Sequence, residues 1–252
     1  MEPVVVLIVL FVFVGALMQR TTGMGFALVA GPFLVVLLEP VPGVVLVNFC
    51  GVVSSSIVMA RTFREIRWPR VWVLAVGALL GTVPGALLTT VMPGWAVHVF
   101  IGLLIVAALS ASLLGSRYAP PIEPTTARTA TAGFFSGFMS GSAGVGGPAV
   151  SVYAIMTRWD QRSFAATLQP YFIIAGIGAI AAKILFDGAH AVPQLEIGIW
   201  AAIIAALVLG QVAGEFLSRV MPVHIARIIM IALAFGGGIL TLVIGLTELA
   251  GR

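Results

Sequence analysis

Two short stretches carry most of the residues that could do chemistry in this chain. The first reads Gln19-Arg20-Thr21-Thr22-Gly23-Met24-Gly25-Phe26. The second reads Ser140-Gly141-Ser142-Ala143-Gly144-Val145-Gly146-Gly147-Pro148. Each mixes glycine with hydroxyl donors, and each interrupts a long apolar run. Glycine lets a backbone unwind and approach a ligand closely. A helix that restarts after such a break points a partial positive charge and free N–H groups at whatever lies there. Two such helix starts, at Gly23–Gly25 and at Gly141–Gly147 (Gly144 and Gly146 among them), would make an anion site with few formal charges. Thr21, Thr22, Ser140 and Ser142 would add hydroxyl donors. The plainer reading is that these glycines and serines only let helices cross tightly in lipid. Two breaks in matching places favour a site.

Arg20 has two readings. If the first helix turns back at 23–25, Arg20 lies deep in the bilayer, where a charge is costly and usually functional. It would then clamp an anion. If the helix crosses fully, about 24 Å of helix precedes Arg20 and the side chain snorkels to the surface. Asn48 and Gln169 sit within full spans, on the helix after each broken segment. An unpaired amide is expensive in lipid, so both should face the bundle interior, lining the site or joining helices. Tyr171, close to Gln169, is a candidate lining hydroxyl. Ser54, Ser55 and Ser56 are expected to bond back to their own helix. Lys183 is expected to snorkel, and Glu215 and Arg219 to form a local i,i+4 ion pair.

The elements that hold these residues follow from composition. Of 252 residues, 60% are hydrophobic and only 9% charged, and the mean hydropathy is +1.15. A soluble domain is about 25% charged. Soluble, disordered and nucleic-acid-binding classes are therefore excluded. The basic balance, 13 Lys+Arg against 9 Asp+Glu, reads as membrane topology. Cys50 stands alone in an apolar run, so no disulfide framework is expected. A spanning helix needs about 20 apolar residues. Six segments meet this, near 43–60, 71–91, 96–114, 163–186, 195–217 and 225–246. The runs at 4–38 and 129–157 are too long for one span and short for two. Each is expected to form a broken hairpin of two short helices, turning near the midplane. The start, Met1-Glu2-Pro3, lacks the basic region of a signal peptide.

Arginines gather in alternate loops. Arg61, Arg64, Arg67 and Arg70 form one group; Arg117 and Arg128, Arg158 and Arg162, and Arg219 and Arg227 form the others. The positive-inside rule makes these loops cytoplasmic and puts both termini outside. Glu2 and Glu39 then flank one hairpin from outside, and Arg128 and Arg158 flank the other from inside.

An internal repeat agrees. Residues 81–93 and 210–222 share seven of 13 positions at a spacing of 129, including Gly81/Gly210, Gly85/Gly214 and Met92-Pro93/Met221-Pro222. Gly25, Gly31 and Pro32 match Gly141, Gly147 and Pro148 at a spacing of 116. The expected fold is an all-α polytopic membrane protein of about ten helical segments. It is built as two inverted-topology repeats, each a broken hairpin plus three full spans. The first repeat covers 1–115, a cytoplasmic linker 116–128 and the second repeat 129–252. Inverted repeats with interrupted helices at corresponding positions are the signature of a secondary transporter.

Enzyme signals fail. Gly141-Ser142-Ala143-Gly144 lacks a histidine base within reach, since His98, His190 and His224 lie near span ends. No Walker motif, dinucleotide fingerprint or clustered Cys/His set is present, so no cofactor or metal is expected.

At these same residues the sequence resembles the sulfite exporter TauE/SafE family of membrane transporters. The likeness is carried by Gly23-Met24-Gly25-Phe26-Ala27-Leu28-Val29-Ala30-Gly31-Pro32, by Gly133-Phe134-Phe135-Ser136-Gly137, and by Gly141 to Pro148. Asn48 and Arg64-Glu65-Ile66-Arg67 add to it. It runs over nearly the whole chain. The chain departs from many members where it has Gly23-Met24-Gly25 in place of three successive glycines, and the role of Arg20 rests on the physical argument and not on the resemblance. The resemblance implies export of a small oxyanion or organosulfonate, such as sulfite or sulfoacetate, driven by an ion gradient. The expected partners are a small anionic substrate, membrane lipid, a coupling ion (proton or sodium) and a second copy of the chain in a homodimer, with no nucleic acid. The expected location is a bacterial-type inner membrane. A passive anion channel is the alternative function.

Overall fold

Apolar runs of this length leave the backbone one choice in lipid, to satisfy every N–H and C=O within its own helix. The structure, a computed structural model, describes residues 3–23, 25–118 and 120–251, and of 115–118 the backbone only. Met1, Glu2, Met24, Ala119 and Arg252 lie outside the described residues, and with them the readings made for Glu2 and Met24. Among the described residues there are ten α-helices and no strand. They are α1 Pro3–Thr22, α2 Phe26–Leu38, α3 Pro40–Thr62, α4 Trp68–Val91, α5 Gly94–Tyr118, α6 Thr126–Ala143, α7 Gly147–Met156, α8 Gln161–Asp187, α9 Ile197–Val220 and α10 Val223–Ala250. Seven of these (α1, α3, α4, α5, α8, α9 and α10) are long and apolar enough to cross a membrane. The chain is a polytopic membrane protein.

Helix lengths run in the same order in each half: one long arm, one short arm, then three long helices. The broken arms differ from expectation in one respect. α1 has 20 residues and α6 has 18, against 13 and 10 for α2 and α7. Each hairpin is therefore one near-spanning helix and one half-length helix. The breaks are also narrower than the sequence suggested. α1 continues through Gln19-Arg20-Thr21-Thr22 because both threonine hydroxyls bond back to carbonyls one turn earlier, Thr21 to Leu17 and Met18 and Thr22 to Met18. α6 continues through Ser140 and Ser142. Among the described residues of the two stretches, only Gly23, Gly25 and Gly144–Gly146 leave the helix. Gly23 (φ 82°), Gly25 (φ 149°) and Gly144 (φ 73°) adopt backbone angles that side chains disfavour.

The halves interlock rather than sit side by side. The most extensive helix pairs are α4 with α6, α1 with α9, α5 with α10 and α3 with α8, and every one joins the two halves. Glycine makes the first pair possible. Gly77, Gly81 and Gly85 of α4 face the backbone of Ala130, Phe134 and Phe138, while Gly133, Gly137 and Gly141 of α6 face Leu74, Ala78 and Thr82. In lipid, where apolar burial gives no drive between helices, this close backbone approach is the main attraction. Gly210 and Gly214 of α9 do the same against Phe13, Leu17 and Arg20 of α1. One pair of repeat-equivalent contacts is unequal: α4 lies along α8, whereas α3 and α9 meet sparsely.

Two expectations are corrected. Lys183 does not snorkel. It is fully buried, and its ammonium donates to Thr89 on α4. Ser54 and Ser55 do not simply bond back to their own helix; they accept from Gln211 on α9 and Gln19 on α1. Ser56 does bond back, to Val52. In each corrected case a neighbouring helix offers a polar partner that the sequence alone does not place.

Candidate functional site

The two breaks face one internal cavity of about 50 Å³. From the first half it is lined by Gln19, Gly25 and the first turn of α2 (Phe26, Ala27 and Leu28), together with Asn48 and Ser55 of α3. From the second half come Ser140, Gly144, Gly146 and Gly147, with Phe172 on α8. At the ~10–15 Å³ one water requires, the space suits roughly four small atoms or waters. That is the size of a compact oxyanion.

The N-termini of both short helices open here. α2 starts after Gly25 and α7 after Gly146, and neither has a side-chain cap. Their first-turn N–H groups have no partner within the helix, although Pro148 contributes none to α7. No carboxylate lines the cavity, so the sum of dipoles favours a negative guest.

A hydrogen-bond network fixes the second break against the first half. Asn48 donates its amide to Val44 O (2.9 Å) and Ser140 O (3.2 Å) and accepts from Ser140 Oγ (2.9 Å). Ser136 Oγ donates to Gly146 O at 2.7 Å. Asn48 thus both lines the cavity and joins helices, the two roles the sequence left open. Gln169, fully buried, donates to Ala165 O (2.7 Å) and to Gly23 O (3.3 Å). It holds the first break by its backbone and is not among the lining residues. The arrangement is reciprocal: an amide on the helix after each hairpin grips the other half's break.

The remaining candidates lie elsewhere. Ser142 is buried and bonds back to Phe138 O at 2.7 Å. Tyr171 is buried with its hydroxyl facing Ser136. Thr21 is spent on its own helix, and Thr22 lines a separate cavity described below. Gly23 lies at the break but outside the cavity lining. Arg20 lies outside the lining as well. Its guanidinium pairs with Glu215 of α9 through Nε (2.7 Å) and a terminal nitrogen. Glu215 also meets Arg61 (3.2 Å) and Arg219 (3.4 Å). The i,i+4 pair is therefore present, as one limb of a four-residue network at the arginine-rich end of the bundle.

Sequence reasoning missed Gln19, Ser55 and Gly147 as lining residues. Gln19 carried the signal that singled out Asn48 and Gln169, a lone amide inside an apolar helix.

The ion-pair network makes a prediction. Arg20→Ala leaves Glu215 with only its outer, more exposed arginines, and Glu215→Ala leaves Arg20 with none. Each single change is expected to lower the melting temperature of purified protein by several degrees. The double change should lower it less than the sum, because neither charge is stranded. Additive losses in a thermal-shift series would show that the pair is not coupled.

An all-helical membrane protein with two helix breaks converging on an internal cavity has the build of a solute transporter. A family model described as Sulfite exporter TauE/SafE matches residues 7–241. The chain belongs to that family of membrane transporters for sulfite- and sulfonate-type anions. Neither a curated protein nor a solved structure matches it.

Proposed function

We propose that this protein is a secondary transporter of the inner membrane that exports a small anion, such as sulfite or an organosulfonate, by alternating access at the central cavity. The observation that carries this reading is that both breaks, with the free N-termini of α2 and α7, line one cavity without a carboxylate. Helix dipoles bind an anion without a buried lysine or arginine, so the guest is not held too tightly to leave.

The unequal contacts between the halves support the motion. α4 lies along α8 from Arg67, whose N–H donates to Thr167 at 3.1 Å, to Thr89, which accepts from Lys183, while α3 and α9 meet sparsely. Alternating access would exchange the close contact and the sparse one between the two halves.

Proteoliposomes loaded with sulfite or sulfoacetate test the reading. Efflux should require a proton or sodium gradient, and Asn48→Ala and Gln169→Ala should each cut it at least tenfold, the effect of about 1.4 kcal/mol at the site. Arg20→Ala should weaken folding more than affinity. Flux that runs without any gradient, at rates far above a carrier's turnover, would favour a passive channel.

A further inference from the structure

A second cavity, about 210 Å³, opens at the arginine-rich end between α2, α5, α7, α8 and α10. Two arginines line it, Arg158 after α7 and Arg227 at the start of α10. Neither guanidinium makes an ion pair or a hydrogen bond with any described residue. No carboxylate lines the cavity. The nearest acid in sequence, Asp160, is engaged at the N-terminus of α8, where it accepts from Ser163 N at 2.9 Å.

Trp159 also lines this cavity. Its ring is 9% exposed, yet its indole N–H is buried without an acceptor. Trp159 therefore offers the cavity its ring and not its N–H. Arg70 stacks on the same ring, with its guanidinium carbon 4.2 Å from the centroid and one terminal nitrogen buried and unpaired. The turn presenting Arg158 and Trp159 is strained: Arg158 has φ 48°, uncommon for a residue with a side chain. The rest of the wall sets Thr22, Ser112, Ser151 and Gln161 among apolar residues that include Leu28, Leu109, Phe164 and Ile231.

The two cavities are neighbours. Leu28 lines both. Met230 lines the larger one, takes a contact from Thr22 Oγ1 at 3.6 Å and lies against Gly25, which lines the smaller one. A flexible methionine and a leucine are the partition between them.

We propose that the larger cavity is a second anion site, an antechamber that takes an oxyanion carried on a short apolar body. Arg158 and Arg227 receive the head beside the Trp159 ring, and the apolar part of the wall receives the body. The central cavity admits a head of about four atoms; the antechamber has room for the rest of an organosulfonate. Its place ahead of the central cavity rests on the transporter reading, but its binding does not. The same chemistry is offered by a free sulfonate and by the phosphate head of an anionic lipid.

The test is binding to purified full-length protein, read by tryptophan fluorescence during titration with butane-1-sulfonate. A saturable change is expected in the wild type. It should vanish in Trp159→Phe and shift to at least tenfold higher concentration in Arg158→Gln/Arg227→Gln, the loss of about 1.4 kcal/mol or more. Methanesulfonate should bind more weakly, having no apolar body. Both arginines are exposed, so the double variant should fold; a circular dichroism melt checks this. Nanodiscs of phosphatidylcholine, with and without phosphatidylglycerol, separate the sources. Displacement of the sulfonate by phosphatidylglycerol, lost in the double variant, assigns the site to the lipid head. Indifference to phosphatidylglycerol assigns it to the free anion. No saturable change, or one that both variants leave intact, overturns the proposal. Binding that persists in a protein with no measurable transport sinks the transporter reading alone.

Discussion

Gly137→Val is expected to abolish accumulation of folded protein in the membrane. A Cβ at Gly137 would lie 2.1 Å from Ala78 O and 2.5 Å from Ala78 Cα. Those are backbone atoms, so no rotamer change relieves the clash. α4 and α6 would have to part. Their crossing is lined by three glycines from each helix, and close approach is what holds it. Overpacking a single site usually costs ~1–3 kcal/mol and more where backbone must move. Here the shift would also open the neighbouring contacts at Gly81 and Gly133. Gly210→Val, on α9, the repeat equivalent of α4, should do the same more mildly, since its nearest atom, Phe13 O, is 2.5 Å away. The measurement is monodisperse yield by size exclusion. Gly51→Ala, with nothing within 4 Å of the added carbon, is the control. Normal yield of Gly137→Val would mean that the α4–α6 crossing is not close-packed in the membrane.

Gly147→Val is expected to do the opposite, leaving the fold intact and removing transport. Gly147 lines the central cavity, and a Cβ there meets no atom within 4 Å. Its φ needs no glycine. The added carbons would therefore project into about 50 Å³ of space at the first residue of α7. They would occupy the volume reserved for the guest and cover N–H groups that would bind it. Transport of sulfite or sulfoacetate should fall about 100-fold or more, a loss of some 2.7 kcal/mol or greater at the site, while the melting temperature stays near the wild-type value. Undiminished transport with a wild-type melt would remove the central cavity from the pathway. Paired with Gly137→Val, this separates glycines that permit packing from glycines that leave room.

Much of this protein was legible in its sequence. The six full spans read from apolar run length reappear as α3, α4, α5, α8, α9 and α10, because partition into lipid depends on local composition alone. The two interruptions also read correctly as breaks, since glycine's freedom is a property of the residue. The breaks proved shorter because Thr21 and Thr22 can donate to their own helix, a compensation that a pattern of polar residues does not reveal.

What the tertiary structure decided was partnership. Nothing in the sequence tells that Arg20 meets Glu215, 195 positions away, rather than a bound anion, or that Lys183 meets Thr89. Nor does it tell that Asn48 enters the cavity while Gln169 stays behind the first break. Run length, glycine and charge bias act on each segment by itself, so a sequence displays them directly. Which polar groups end up paired depends on which helix backbones approach closely enough to touch. That is set jointly by all ten helices packing at once.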